Sequence, residues 1–255
     1  MRKKILGASW KMHKNTKAEV KSFVLSIKGS VSQFKDLEMF LIPSFPLIDY
    51  LKQQIQSTHI GVGAQNVAFV EHGPYTGEVS IETLIDVGCD YVEIGHAERR
   101  EHFNETNEAI AKKVKLTLDH HCVPLVCVGE TLKQKEEGYA FEVLKEQVQT
   151  ALKYVAVNDI SRVIFAYEPV WAIGQQEGAS SDYVATQHQF IRSIIASIDA
   201  KAAQAIRIIY GGSVKKESAA AMMENEDVDG LFAGRFALEP NNYIEIAQIV
   251  HKTIK

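Results

Sequence analysis

Short runs rich in β-branched and aromatic residues alternate along this chain with longer runs whose apolar positions recur every three or four residues. The first kind reads as buried strand and the second as amphipathic helix. The pattern predicts strands at 5–10, 39–42, 60–64, 91–94, 125–128, 163–167, 206–210 and 230–233. It predicts helices at 18–27, 47–55, 107–120, 140–154, 183–198, 217–223 and 243–251. A further short helix is capped by Ser80 and ends near Gly88, after a long loop at 65–78. That makes eight strand–helix units without a linker or a low-complexity break. Parallel strands with helical crossovers are their natural packing. Eight units in 255 residues fit one domain, 1–255, of the α/β class: a closed (β/α)8 barrel of eight parallel strands ringed by helices.

Barrels of this kind carry their chemistry at the C-terminal ends of the strands. Polar and glycine residues gather there: Trp10-Lys11, Gln65-Asn66, Gly95-His96, Gly129-Glu130, Glu168, Gly211-Gly212-Ser213 and Gly234-Arg235. Glu168 stands where the apolar run Val163-Ile164-Phe165-Ala166 gives out, and Pro169 biases it towards an extended backbone. A carboxylate at an apolar strand mouth is a candidate general base; the competing reading is a solvated acid. His96 and Lys11 are further candidates; Lys11 alone reads as a solvated surface lysine, and its position at a strand end and its motif lift it. Glycine-rich turns after the seventh and eighth strands suit a phosphate, because backbone N–H groups approach it closely.

Composition narrows the classes of function. The formal net charge is -4, which argues against nucleic acid as a partner. The chain has three cysteines, Cys89, Cys122 and Cys127, in no Cys-x-x-Cys pattern, which points to a reducing cytoplasm. The apolar run within Met1–Gly7 is too short for a secretion signal, and no run approaches the roughly 18 residues of a membrane span. His96-Ala97-Glu98 lacks the Pro-Cys-x-x-Cys partner of a zinc deaminase. Gly61-Val62-Gly63 lacks the third glycine of a dinucleotide fingerprint. No cofactor or metal is expected.

The motifs carry a resemblance. Trp10-Lys11-Met12, Ala64-Gln65-Asn66-Val67, Thr76-Gly77-Glu78, Gly95-His96-Ala97-Glu98-Arg99-Arg100, Cys127-Val128-Gly129-Glu130, Tyr167 to Gly174 and Tyr210-Gly211-Gly212-Ser213-Val214 stand in order. Their sequence and spacing resemble the triosephosphate isomerase family from Ser9 to about Leu238, and so imply a TIM barrel. The resemblance implies an isomerase that moves a proton between C1 and C2 of a small sugar phosphate through a cis-enediol. Glu168 would be the base, His96 the neutral imidazole that polarises the carbonyl, and Lys11 the charge compensator, with Glu98 in a supporting place. Gly174, Ser213, Gly234 and Arg235 would hold phosphate. The loop 169–179 would close as a lid hydrogen-bonded to Tyr210. The family also implies a homodimer through Gln65–Glu78, with Thr76 reaching the neighbouring site near Lys11 and Met12.

The departures from that family crowd the substrate. Ser9 and His13 replace asparagines, and Ala97 replaces a serine that could hold the resting Glu168. The lid tip reads Gly174-Gln175-Gln176-Glu177-Gly178-Ala179, and Gly234-Arg235 replaces two glycines. Ser9 enlarges the pocket beside Lys11. Arg235 could grip a phosphate or turn outward to Glu239. Ser9-Trp10-Lys11-Met12 with Gly230 to Arg235 resembles the branch that isomerises L-erythrulose 1-phosphate in erythritol breakdown. The triose and the tetrulose therefore compete as substrates. A non-catalytic phosphate-binding barrel is the alternative of another class, and barrel isomerases of aminated ribose phosphates lack their strand-end aspartates here.

Overall fold

Period-two alternation organises every strand, because successive side chains point to opposite faces. The structure is a computed structural model and describes residues 2–175 and 177–254, so Gln176 of the expected lid tip lies outside the described residues. Its strands are β1 (Ile5–Ser9), β2 (Glu38–Ile42), β3 (Ile60–Ala64), β4 (Tyr91–Ile94), β5 (Val123–Val128), β6 (Ile164–Tyr167), β7 (Arg207–Tyr210) and β8 (Gly230–Ala233). They form a closed parallel barrel in chain order, with β8 paired back to β1 in the register Ile5↔Gly230.

One face of each strand fills the barrel. Ile5, Phe40, Tyr91, Leu125, Ile164, Ile209 and Phe232 form this interior cluster. Phe40 stacks on Tyr91 with ring centroids 4.3 Å apart and lies 6.1 Å from Phe232. Gly7 makes that packing possible: a Cβ there would stand 2.3 Å from the Phe40 ring. The other face, including Leu6, Leu41, Val92, Val126, Phe165 and Ile208, packs beneath helix residues such as Val20, Ile110, Leu144, Ile191 and Ile246.

The predicted helices appear as Lys17–Val31, Ile48–Ile55, Ile81–Asp86, Asn107–Asp119, Ala140–Ala151, Ser181–Ile198, Lys216–Met223 and Pro240–His251. Ser80 caps Ile81–Asp86 by accepting from the Thr83 N–H. Three short helices escaped the sequence reading: Ala97–Phe103, Leu132–Glu136 and Ala200–Ala205. The first two bury no residue, so they have no apolar stripe to read. Their starts are set by side-chain caps, His96 and Thr131. Among the described residues, no helix is long and apolar enough to cross a membrane.

The inward face of the strands ends in polar residues. Following Ile5 and Gly7 on β1, Ser9 points inward; following Tyr91 on β4, so does Glu93; following Ile164 and Ala166 on β6, so does Glu168. All three are buried at one end of the barrel.

Gly7→Ala is expected to destabilise the fold by about 1–3 kcal/mol, the usual cost of overpacking a filled core. Urea unfolding measures this, and an unchanged midpoint would mean that the Phe40 ring yields without cost.

Candidate active site

A pocket of about 530 Å³ opens at the C-terminal end of the barrel. Ser9, Lys11, His96, Glu98 and Glu168 line one part of it. Gly174, Ser213, Gly234 and Arg235 line another. Residues from five strand ends and the 169–179 loop thus meet at one place, although Ser9 and Arg235 stand near opposite ends of the chain.

Glu168 follows β6, and its backbone N–H is fixed by the Val128 carbonyl at 2.8 Å. Gly211 leaves space for its side chain: a Cβ there would come within 2.6 Å of Glu168 Oε1. The carboxyl is 3% exposed, and its Oε2 has no hydrogen-bond partner. Burial, reinforced by the nearby Glu93, pushes its pKa up to about 8. A carboxyl with this proton affinity exchanges protons readily near neutrality.

His96 Nε2 lies 3.5 Å from Glu168 Oε2. His96 also caps the helix Ala97–Phe103, where the Glu98 N–H donates to Nδ1 at 3.1 Å. Nδ1 is therefore the acceptor, and the ring proton sits on Nε2, facing the pocket. Burial and then Lys11 push the His96 pKa down to about 4, so the ring is a neutral donor.

Lys11 Nζ pairs with Glu98 Oε1 at 2.5 Å. Its backbone is left-handed, with φ of 46°, an uncommon conformation for a residue with a side chain. Gln65 helps hold it there by donating Nε2–H to the Lys11 carbonyl at 2.9 Å. Such strain costs on the order of 1–3 kcal/mol and tends to persist at functional sites.

The 169–179 loop is tied down at both ends. Glu130, fully buried, accepts from Tyr167 Oη, from Trp171 Nε1 at 2.8 Å and from Tyr183 Oη at 2.9 Å. Lys135 lies over the Trp171 ring, 3.5 Å from its centroid. At the far end the Ala179 N–H donates to the Tyr210 hydroxyl at 3.2 Å, and Ser213 Oγ donates to the Gln175 carbonyl at 2.8 Å. Tyr210 thus holds the loop from outside the pocket. Arg235 reaches over the pocket mouth, with Nη2 3.3 Å from where a Gly174 Cβ would sit. Among the described residues it forms no ion pair with Glu239.

Two groups were missed in the sequence. Glu93 lies inside the strand predicted at 91–94, and its signal was a charged residue at an inward position. Burial pushes its pKa up to about 7, against the effect of the hydroxyl of Ser9, which donates to Oε2 at 2.8 Å. Glu130 was noted as a polar strand end and within the motif Cys127 to Glu130, and nothing local marked it as the anchor for three distant donors.

A buried carboxyl, a neutral imidazole donor and an ammonium line one part of this pocket, with glycine-rich turns and a guanidinium in another. The fold and site define an acid–base enzyme of the (β/α)8 class, suited to a small anionic substrate. A family model described as "Triosephosphate isomerase" matches residues 4–250. "Probable triosephosphate isomerase 2" of Listeria monocytogenes serovar 1/2a is 40% identical over 253 residues, 99% of each chain. "Triosephosphate isomerase" of Endomicrobium trichonymphae is 39% identical over 248 residues, 97% of this chain and 99% of that one. "L-erythrulose-1-phosphate isomerase" of Mesorhizobium japonicum is 41% identical over 244 residues, 94% of each. The chain belongs to the triosephosphate isomerase family and is an isomerase.

The raised carboxyl pKa values predict a pH dependence of stability. Glu93 and Glu168 hold protons more tightly when folded than at the ordinary value of 4.5. Their stabilising contribution is full below about pH 4.5 and is lost as pH rises through 7 and 8. The urea midpoint should fall between pH 5 and 9, and Glu168→Gln should flatten the upper part of that fall. A variant profile parallel to the wild type would show that Glu168 does not titrate in the native state.

Proposed function

We propose that the enzyme interconverts short phosphorylated sugars by moving a proton between adjacent carbons through a cis-enediol. Glu168 takes the proton from the carbon beside the carbonyl. The Nε2–H of His96 donates to the carbonyl oxygen and stabilises the charge that develops there. Lys11 offsets the negative charge of the substrate. Backbone N–H groups at Gly174, Ser213 and Gly234, together with the Arg235 guanidinium, bind the phosphate. The 169–179 loop closes over the intermediate and keeps out water, which protects the enediol phosphate from losing its phosphate. The observation that carries this reading is the unpartnered, buried Oε2 of Glu168 beside the His96 Nε2.

Two substrates share this chemistry. The triose reading is dihydroxyacetone phosphate to D-glyceraldehyde 3-phosphate, as in glycolysis, and the family's usual activity supports it. The second is L-erythrulose 1-phosphate, and Ser9 bonded to Glu93 at the reacting end favours it. In that substrate C1 bears the phosphate and C2 the carbonyl, so the proton leaves C3 and arrives at C2. The carbonyl moves to C3, giving an erythrulose 4-phosphate. Compared with the triose, the substrate has one added group, a hydroxymethyl on the carbon that loses its proton. The pocket of this chain supports the four-carbon reading best.

We further read the enzyme as a homodimer joined through 65–78. Met12 is 81% exposed, and Phe69 and Tyr75 of that loop are also exposed, with their rings 5.5 Å apart. Three apolar side chains in and beside one projecting loop suit burial against a second copy. Three free, buried cysteines fit a reducing compartment such as the cytoplasm.

Glu168→Gln is expected to lower turnover by about 10²- to 10⁴-fold on whichever substrate is used, the range for a positioned base. Steady-state kinetics on both sugars check this, and a variant as active as the wild type would point to a barrel that binds phosphate without catalysis. Sedimentation equilibrium should return twice the chain mass, and Met12→Glu should shift it towards the monomer. A monomeric wild type at micromolar concentration would overturn the dimer.

A further inference from the structure

Glu93 is out of place in a barrel interior. The inward layers of such barrels are filled by bulky apolar side chains, as Tyr91, Leu125 and Ile164 fill this one. A carboxylate placed there costs free energy unless it is paired. No cation pairs with it: among the described residues, Ser9 Oγ is the one side chain that donates to it, through Oε2. The strand fold does not need it, since the outward neighbours Val92 and Ile94 make the helix contacts and Tyr91 fills the barrel. Glu93 is 3% exposed yet lines the substrate pocket with Ser9, Lys11 and Glu168. It therefore contributes a carboxyl to the same pocket as Glu168, His96 and Lys11.

Ser9 completes the arrangement. The Ser9 hydroxyl donates to Oε2 at 2.8 Å, and among the described residues no side chain donates to Oε1. The two residues together form a small polar cup at the reacting end, opposite the phosphate-binding turns. A triose ends at that carbon and gives the cup nothing to hold. A hydroxymethyl on the same carbon places an O–H there.

We propose that Glu93, held by Ser9, is a substrate-binding residue that accepts a hydrogen bond from a hydroxyl on the carbon chain beyond the reacting carbon, and so selects ketose phosphates longer than a triose. The site rejects shorter substrates because the buried carboxyl is then left without that donor. The inference rests on the isomerase reading above and adds the residue that sets chain length.

The test compares wild type, Glu93→Leu and Glu93→Gln on L-erythrulose 1-phosphate and dihydroxyacetone phosphate. It adds calorimetric binding of two unreactive ligands, erythritol 4-phosphate and glycerol 3-phosphate. Glu93→Leu should lower the ratio of kcat/KM for the tetrulose over the triose by 10²-fold or more, the scale for a site built to bond a hydroxyl. The preference for erythritol 4-phosphate over glycerol 3-phosphate should fall with it. Glu93→Gln retains size and an acceptor oxygen; it should lower the same ratio by about tenfold and serves if the leucine variant does not fold. Equal loss on both substrates, or an unchanged ratio, overturns the role of Glu93, as does a wild type without preference for the longer ligand. A wild type that turns over neither sugar, yet binds erythritol 4-phosphate more tightly in a Glu93-dependent way, overturns the isomerase reading and leaves Glu93 as a chain-length reader.

Discussion

Keeping a carboxylate out of water is the constraint on which the rest of this structure depends. Glu168 has to be dry to bind protons near neutrality, and dryness requires a closed wall around it. The barrel supplies that wall: Phe40, Tyr91 and Phe232 plug its interior, and Ala166 and Gly211 leave the narrow space into which the side chain fits. The loop after β6 supplies the roof, held by Glu130 at one end and by Tyr210 and Ser213 at the other. Loosening any of these contacts admits solvent, and a hydrated Glu168 becomes an ordinary acid.

The same dryness sets the state of its neighbours. His96 is kept neutral by burial and by Lys11, so it faces the pocket as a hydrogen-bond donor without a formal charge. Lys11 in turn is held in a left-handed backbone and paired with Glu98, which fixes the ammonium at the pocket wall. Two carboxyls share this interior; burial raises the pKa of both, and Glu93 raises that of Glu168 further. A second buried acid is a liability in a site that must accumulate negative charge. Glu93 pairs with no cation and bonds the Ser9 hydroxyl, which is the ground for proposing it as a contact to the substrate.

Alternation and helical periodicity were legible in the chain because they are local: each needs only a few neighbours to be read. Eight repeats of strand and helix, the glycines after β7 and β8, and the motifs around Lys11, His96 and Glu168 followed directly from residue order. The short helices at Ala97–Phe103 and Leu132–Glu136 were not legible, since they bury nothing and depend on single caps.

Closing the ring decided what residue order could not. Whether Glu93 faced the pocket or a helix depended on the register of β4 against β3 and β5, where a shift of one residue reverses every side chain. The direction of Arg235 depended on where the Gly174 loop came to rest above it. Glu130 gathered donors from three segments only after β5, β6 and the helix Ser181–Ile198 had packed together. The sequence by itself determined which elements form and which side chains carry chemistry, because those follow from neighbours along the chain. Tertiary structure alone decided which groups share one desolvated space, because desolvation belongs to the enclosure and to no single residue.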